Sequence, residues 1–503
     1  MRDSLIERVN RSIQIDRSTM VRLLVIAVVL LTSAYVVPRT SGIRLWLLLA
    51  IVPAIGIVVF LLKRPHWGIM ALLPTALIVP FAIGTGTQTQ IVMVVPLIGV
   101  LFGLWVLNMV VQRQVHIAHV RPLLPLFCLV VAVTLAFING QLPWFSVRGA
   151  PLAAQLGGLS IFLLSAAVLL LVAHQLDDVR WLRWLVWSFL GLGSLYALGQ
   201  LTPLGAITGR IFPVGATGSL FWVWLTALAA AQALFNSNVQ SRWRLALGAL
   251  AAGALGIGLL NFEWKSGWLP SLVALAVVLW LSVPRLRLWL LLIAGLAAAP
   301  YVLNAINALL VEESYSWNTR LVAWRIVLEV AQVSPVLGLG PANYYFYTPL
   351  IPILGYRIKF NSHNQYVDLI AQTGVVGLVC FLWFVGAMWR LAWRLFHRLP
   401  NGFERAYAAG VLGGTAGVLV AGMLGDWVLP FVYNVGLAGF RSSILAWLFW
   451  GGLVALSLQS ARSANHEVQS TDALRQNLVG ANTHGETFAP LIRPTTNPAE
   501  LRG

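Results

Sequence analysis

Apolar stretches long enough to cross a lipid bilayer recur along almost the whole of this 503-residue chain, and no other feature limits the fold as much. A helix needs about 20 apolar residues to span a hydrocarbon core of about 30 Å. Backbone groups in lipid must be paired within the segment, so these stretches are read as helices. They fall at 21–37, 45–62, 67–84, 91–111, 123–138, 156–173, 184–201, 219–235, 245–262, 267–283, 288–303, 367–389, 406–424 and 435–458. The fold class expected is all-α: a polytopic membrane protein of about 14 transmembrane helices, 12–14 if the shortest stretches do not span. Only 10% of residues are charged, against about 25% in soluble domains, which excludes a water-soluble globule.

Lysine and arginine set the orientation. With the N-terminus inside, 23 of the 33 basic residues fall in inner segments. The formal net charge of +17 is then a topology signal and not a nucleic-acid footprint. The chain is expected in a bacterial inner membrane with both termini cytoplasmic. Residues 1–20 form a cytoplasmic segment, 21–458 the transmembrane domain, 304–366 a large outer loop within it, and 459–503 a polar, disordered cytoplasmic tail. The flank of the first span lacks a small-x-small cleavage pattern, so that span is expected to stay as an anchor. Cys128 and Cys380 lie in apolar spans and suggest neither a disulfide framework nor a metal site.

The helix interiors carry almost no ionisable groups, whereas ion-coupled transporters place such groups near midplane. Cations collect instead in the outer segments, as Arg148, Arg210, Lys265, Arg320, Arg325, Arg357 and Lys359, together with His363. Outward arginines suit an anionic ligand such as a diphosphate, which guanidinium forks match bidentately. For any one of them, snorkelling to lipid headgroups is an equally good explanation. In the large outer loop, 319–333 reads as an amphipathic helix ending at Pro335, with Arg320 and Trp324 sharing one side. Tyr344-Tyr345-Phe346-Tyr347 follows, a membrane belt or a sugar-stacking platform.

The segment Ser362-His363-Asn364-Gln365-Tyr366-Val367-Asp368, with Gly374 eleven residues after His363, resembles the signature of the O-antigen ligase and O-antigen polymerase family. Upstream, Arg320-Leu321-Val322-Ala323-Trp324 and the turn Pro335-Val336-Leu337-Gly338-Leu339-Gly340 are similar to that family's helix and Pro-x-x-Gly-x-Gly element. The resemblance covers about residues 320–377. It implies a glycosyltransferase-C-like membrane fold and transfer of a glycan from a polyprenyl-diphosphate carrier to an acceptor hydroxyl, of lipid or glycan type, at the outer face, without metal or cofactor. It makes His363 the catalytic candidate and Arg320 and Arg210 diphosphate ligands, with Lys265 as a substitute for a family arginine; Arg357 joins them as an outer-face cation, and Asn364, Asp368 and Trp324 are supporting candidates. Asp368 either orients a neighbour by hydrogen bonding or sits as an interfacial carboxylate. The chain departs from the family pattern at Gln372, where an acidic residue is usual, and at Lys265, one position early for an arginine. Ligase and exopolysaccharide or O-antigen polymerase are both open readings. A lipid-linked-oligosaccharide flippase is the rival from another class, and it expects a cationic path through the bundle.

Overall fold

Residues 56–84, 90–212 except 116 and 119, 218–260, 264–289, 292 and 315–483 are described by a computed structural model. The expected span at 21–37, the first part of that at 45–62, most of that at 288–303, and residues 484–503 of the tail lie outside them. The chain enters as α1 (Gly56–Lys63), which bends through 111° into α2 (Pro65–Leu77). Pro65 provides the break, because it lacks the N–H that would continue the first helix's hydrogen bonding. The apolar run continues past Leu77, but the helix does not. Pro80 intervenes, and β1 (Ala82–Gly84) pairs antiparallel with β2 (Gln90–Val92), so a hairpin takes the ends of the spans expected at 67–84 and 91–111.

The bundle follows as α3 (Val94–Gln112), α4 (Leu123–Asn139), α5 (Leu152–Gln175), α6 (Val179–Leu201), the short α7 (Gly205–Ile211), α8 (Ser219–Phe235), α9 (Ser241–Leu260) and α10 (Lys265–Ser282). After the interval without description come α11 (Tyr315–Ala331), the single turn α12 (Tyr344–Tyr347), α13 (Gln365–Arg398), α14 (Phe403–Leu424) and α15 (Phe440–Thr483). Eight helices among the described residues are long and apolar enough to cross a membrane, or nine if the bent pair α1–α2 is one span. The protein is thus an all-α, multi-spanning membrane protein, and the described residues account for fewer crossings than the 14 expected. Two further apolar helices, α4 and α8, have 17 residues each.

Exposed Val106, Leu107, Val110 and Val111 on α3 are what a lipid-facing helix presents. At the centre, Trp224, Trp447, Trp450 and Phe449 are fully buried where α8, α14 and α15 meet. Lipid supplies no hydrophobic drive between helices, so close approach through small residues matters. A Cβ at Gly413 would lie 2.7 Å from the Ala274 carbonyl, and one at Gly417 2.8 Å from that of Pro270, so α14 and α10 pack backbone to backbone.

One end of the bundle gathers the loops around 118, 177, 238 and 401. Arg183 donates to Glu404 at 2.6 Å there, and Ser237 Oγ to the Asn401 carbonyl at 3.1 Å. The opposite end holds the loops 140–151, 332–364 and 425–439, tied by Asn343, whose amide donates to the Gly140 carbonyl at 3.0 Å while its oxygen accepts from Ala150 N–H at 2.9 Å. α15 continues to Thr483, so helix runs on past the last expected span into the stretch read as tail. No glycine or proline occurs from 459 to 479, and Ala, Leu, Gln and Arg favour the helix over that stretch.

Candidate functional site

The site begins with a broken helix. α13 is interrupted at Gly374, whose φ of 66° and ψ of −172° lie outside any helix. A break inside a membrane helix frees carbonyl and N–H groups that lipid cannot satisfy. Here the turn at 335–340 satisfies them. Leu339 and Gly340 N–H donate to the Ala371 and Gln372 carbonyls at 2.9 and 3.0 Å, and Val375 and Val376 N–H donate to those of Pro335 and Val336 at 2.9 and 3.3 Å. The approach leaves no room for side chains: a Cβ at Gly338 would lie 2.5 Å from the Gly374 nitrogen, and one at Gly374 2.1 Å from the Val336 oxygen. The Pro-x-x-Gly-x-Gly turn and the glycine eleven residues after His363 are therefore two halves of one joint.

That joint fixes the first turns of α13, and with them residues 362–368. Asn364 caps the helix, its side-chain oxygen accepting from Tyr366 and Val367 N–H at 2.9 and 3.3 Å, which satisfies donors that a helix start leaves open. Ser362 Oγ accepts from Asn364 N–H at 3.0 Å and lies 2.8 Å from both the Asn364 carbonyl and Asp368 Oδ1, to either of which it can donate. Between Ser362 and Asn364, His363 has a φ of 49°, a left-handed conformation uncommon for a residue with a Cβ. The bonds on both flanks hold it there, and the backbone turn directs the imidazole outward while its neighbours stay buried.

Asp368 is not an interfacial carboxylate. It is fully buried, and its Oδ1 accepts from the Tyr344 hydroxyl and lies within hydrogen-bond reach of Ser362 Oγ. The first turns of α13 pack against α11 and the 344–347 turn, and this enclosure separates Asp368 from water. Burial, reinforced by the Asp368 charge and hydrogen bond, pushes the Tyr344 hydroxyl well above its ordinary value, so it remains a donor. The aromatic run is split in use. Tyr344 and Tyr347 are buried, and Tyr345 stacks on Tyr433 with ring centroids 4.7 Å apart.

α11 spans Tyr315–Ala331, close to the helix expected at 319–333, and buries Ala323, Ile326, Val327 and Val330 against α13 and its neighbours. Its Trp324 indole donates to the Ser362 carbonyl at 2.7 Å. Arg320 lies one turn earlier on the same side, exposed and close enough for its charge to act on His363. Asp426, a residue the sequence reading passed over, lies in the 425–439 loop close enough for its charge to act on His363. It is buried, accepts from Phe431 N–H at its Oδ2 and from the Asn434 amide at its Oδ1, each at 2.5 Å, and its pKa is raised chiefly by burial. The only signal for it in the sequence is a lone carboxylate at the end of an apolar span.

Partial desolvation lowers the His363 pKa, and Arg320 lowers it further, while Asp426 opposes both. The ring opens to the surface, yet the protein atoms on its inner side are enough to disfavour the imidazolium. It is therefore neutral near pH 7 and able to accept a proton, beside a carboxylate that steadies the cation once formed.

The other expected ligands are arranged unevenly. Arg210 is exposed on α7, which packs on α6; Gly218, at the far end of its loop, abuts Trp427 and Ser442. Lys265 starts α10, and the preceding Trp264 meets Trp427 edge-on at 6.4 Å. Both segments thus reach the residue next to Asp426. Arg357 is exposed, but its Nη1 donates to the Pro349 and Leu350 carbonyls at 3.1 and 2.8 Å, so part of its fork braces its own loop.

These features define a polytopic membrane protein with a preorganised histidine, two buried carboxylates and nearby cations at one end of its bundle. Residues 225–382 match the family model described as O-antigen ligase, and the chain carries a domain of that family there. The match contains Lys265, Arg320, Arg357, His363 and the Gly374 joint, and leaves Arg210 and Asp426 outside. No curated protein matches the chain.

Proposed function

We propose that the protein transfers a glycan from a polyprenyl-diphosphate carrier to an acceptor hydroxyl at the outer face of the inner membrane. The acceptor oxygen attacks the anomeric carbon as the bond to the diphosphate breaks, with inversion. His363 takes the hydroxyl proton. Arg320, Arg210, Lys265 and the remaining donors of Arg357 hold the departing diphosphate, whose growing charge preorganised cations stabilise by several kcal/mol where water is scarce. The step needs no metal or cofactor. The observation that carries this reading is His363 held outward in a left-handed turn between Ser362 and Asn364, with Arg320 and Asp426 close enough for their charges to act on it, inside a segment that matches the O-antigen ligase model.

Extension of a carrier-linked glycan, the polymerase reading, is supported by the family match at least as well as ligation to a lipid. The two differ only in the acceptor. The test is release of polyprenyl diphosphate from a glycan-charged carrier by purified protein with chelator present, comparing acceptor lipid with a second carrier-linked glycan. Product on the carrier-linked acceptor alone means polymerase, and product on the lipid alone means ligase. Carrier movement across vesicles without release would overturn both readings.

A further inference from the structure

At the end of the bundle opposite His363, α1, α2, α3, α5 and α15 surround a half-open cleft of about 470 Å³, within the range of small-molecule sites. Its walls are of two kinds. Leu61, Leu62, Leu101, Leu104 and Leu458 make an apolar side, while Asn108, Gln112, Gln175, Asp177 and Arg462 bring polar groups to the same space. His174 also borders it, but both ring nitrogens are committed: Nε2 accepts from Ala118 N–H at 3.0 Å and Nδ1 meets the Leu170 carbonyl at 2.8 Å. The histidine clamps the 113–122 loop onto α5 and leaves recognition to the others.

Two charges of opposite sign face this cleft, and among the described residues neither forms an ion pair within 4 Å. A ligand carrying only an anion would meet Arg462 but be opposed by Asp177, and a cation would meet the reverse. A headgroup with both signs satisfies both, phosphate on the Arg462 fork and ammonium on Asp177. The apolar wall then takes the first methylenes of acyl chains, because α3 is largely exposed along its length, as a helix that faces lipid is. We infer that this cleft binds a membrane phospholipid with a zwitterionic phosphoethanolamine headgroup, held by Arg462 and Asp177 with amide support from Gln112 and Gln175.

Full-length protein in nanodiscs of mixed phosphatidylethanolamine, phosphatidylglycerol and diacylglycerol, released and weighed by native mass spectrometry, tests this. Wild type is expected to retain phosphatidylethanolamine preferentially. Arg462→Ala should lower the preference over diacylglycerol, and Asp177→Asn the preference over phosphatidylglycerol, each about tenfold, the size of one charge-assisted contact. Leu104→Trp, which adds bulk to the apolar wall, should lower retention of phosphatidylethanolamine itself. Soluble glycerophosphoethanolamine at matched concentration should not displace the lipid. Retention of phosphatidylglycerol or diacylglycerol equal to that of phosphatidylethanolamine overturns the inference. So does unchanged preference in both charge variants with unchanged retention in Leu104→Trp, or displacement by the soluble headgroup.

Discussion

At the residue scale, His363 carries the heaviest expectation. His363→Ala should lower turnover about 10²- to 10⁴-fold, the usual worth of a positioned general base, with the thermal unfolding midpoint of the purified protein little changed. Its pH behaviour is more discriminating. Neutral His363 is the active form, and its pKa is lowered from 6.5 by burial and by Arg320. Activity should therefore hold as pH falls to that value and be lost only below it. Arg320→Gln removes a cation that depresses the histidine, so the acid limb of kcat/KM should move to higher pH. Asp426→Asn removes the opposing carboxylate, so the limb should move lower. Shifts of the same sign in both variants would contradict the electrostatic arrangement. Neither Asp426 nor the burial of Asp368 was legible in the sequence. Asp426 comes within electrostatic range of His363 only through the tertiary fold, and no local pattern marks a lone carboxylate as acting on a histidine 63 positions upstream. His363, Arg320 and Trp324 were legible because they stand in an ordered motif.

At the element scale, the joint between α13 and the 335–340 turn explains why two glycine patterns occur so far apart. The apolar runs predicted α13, but a glycine inside such a run gives no sign of a break. Its hydrogen-bond partners lie in a different segment, so the broken helix was invisible until the two were seen together. The loss of Pro80–Gly84 from the third span has a similar origin, because hydropathy counts apolar residues and not backbone pairing. Gly374→Ala combines a positive φ with a clash against Val336 and should cost about 2–4 kcal/mol of stability, read as a lower thermal midpoint in detergent. Gly256→Ala, in α9 with open space around it, should be neutral or slightly stabilising by the same measurement. Equal effects at the two positions would mean that the joint does not hold α13 in place.

At the scale of the whole molecule, the two ends differ in kind, and that difference makes the orientation testable. The end with Arg183, Arg242, Arg244, Arg398 and Arg405 has short, basic connections of the kind that the positive-inside bias expects in the cytoplasm, whereas the His363 end has the long loop and the two buried carboxylates Asp368 and Asp426. The sequence could group these loops because charge bias and span alternation act along the chain and need no tertiary contact, whereas which face each end meets is left to experiment. Cys128 and Cys380 lie in helices and are replaced by serine to clear the background. A cysteine at Gly355, exposed in the long loop, should then react with a membrane-impermeant maleimide in spheroplasts. A cysteine at Asn401, between α13 and α14, should react only after the membrane is opened. The reverse pattern would place His363 in the cytoplasm. There it would face nucleotide-activated sugars instead of a flipped carrier, and the proposed donor would fall with the orientation.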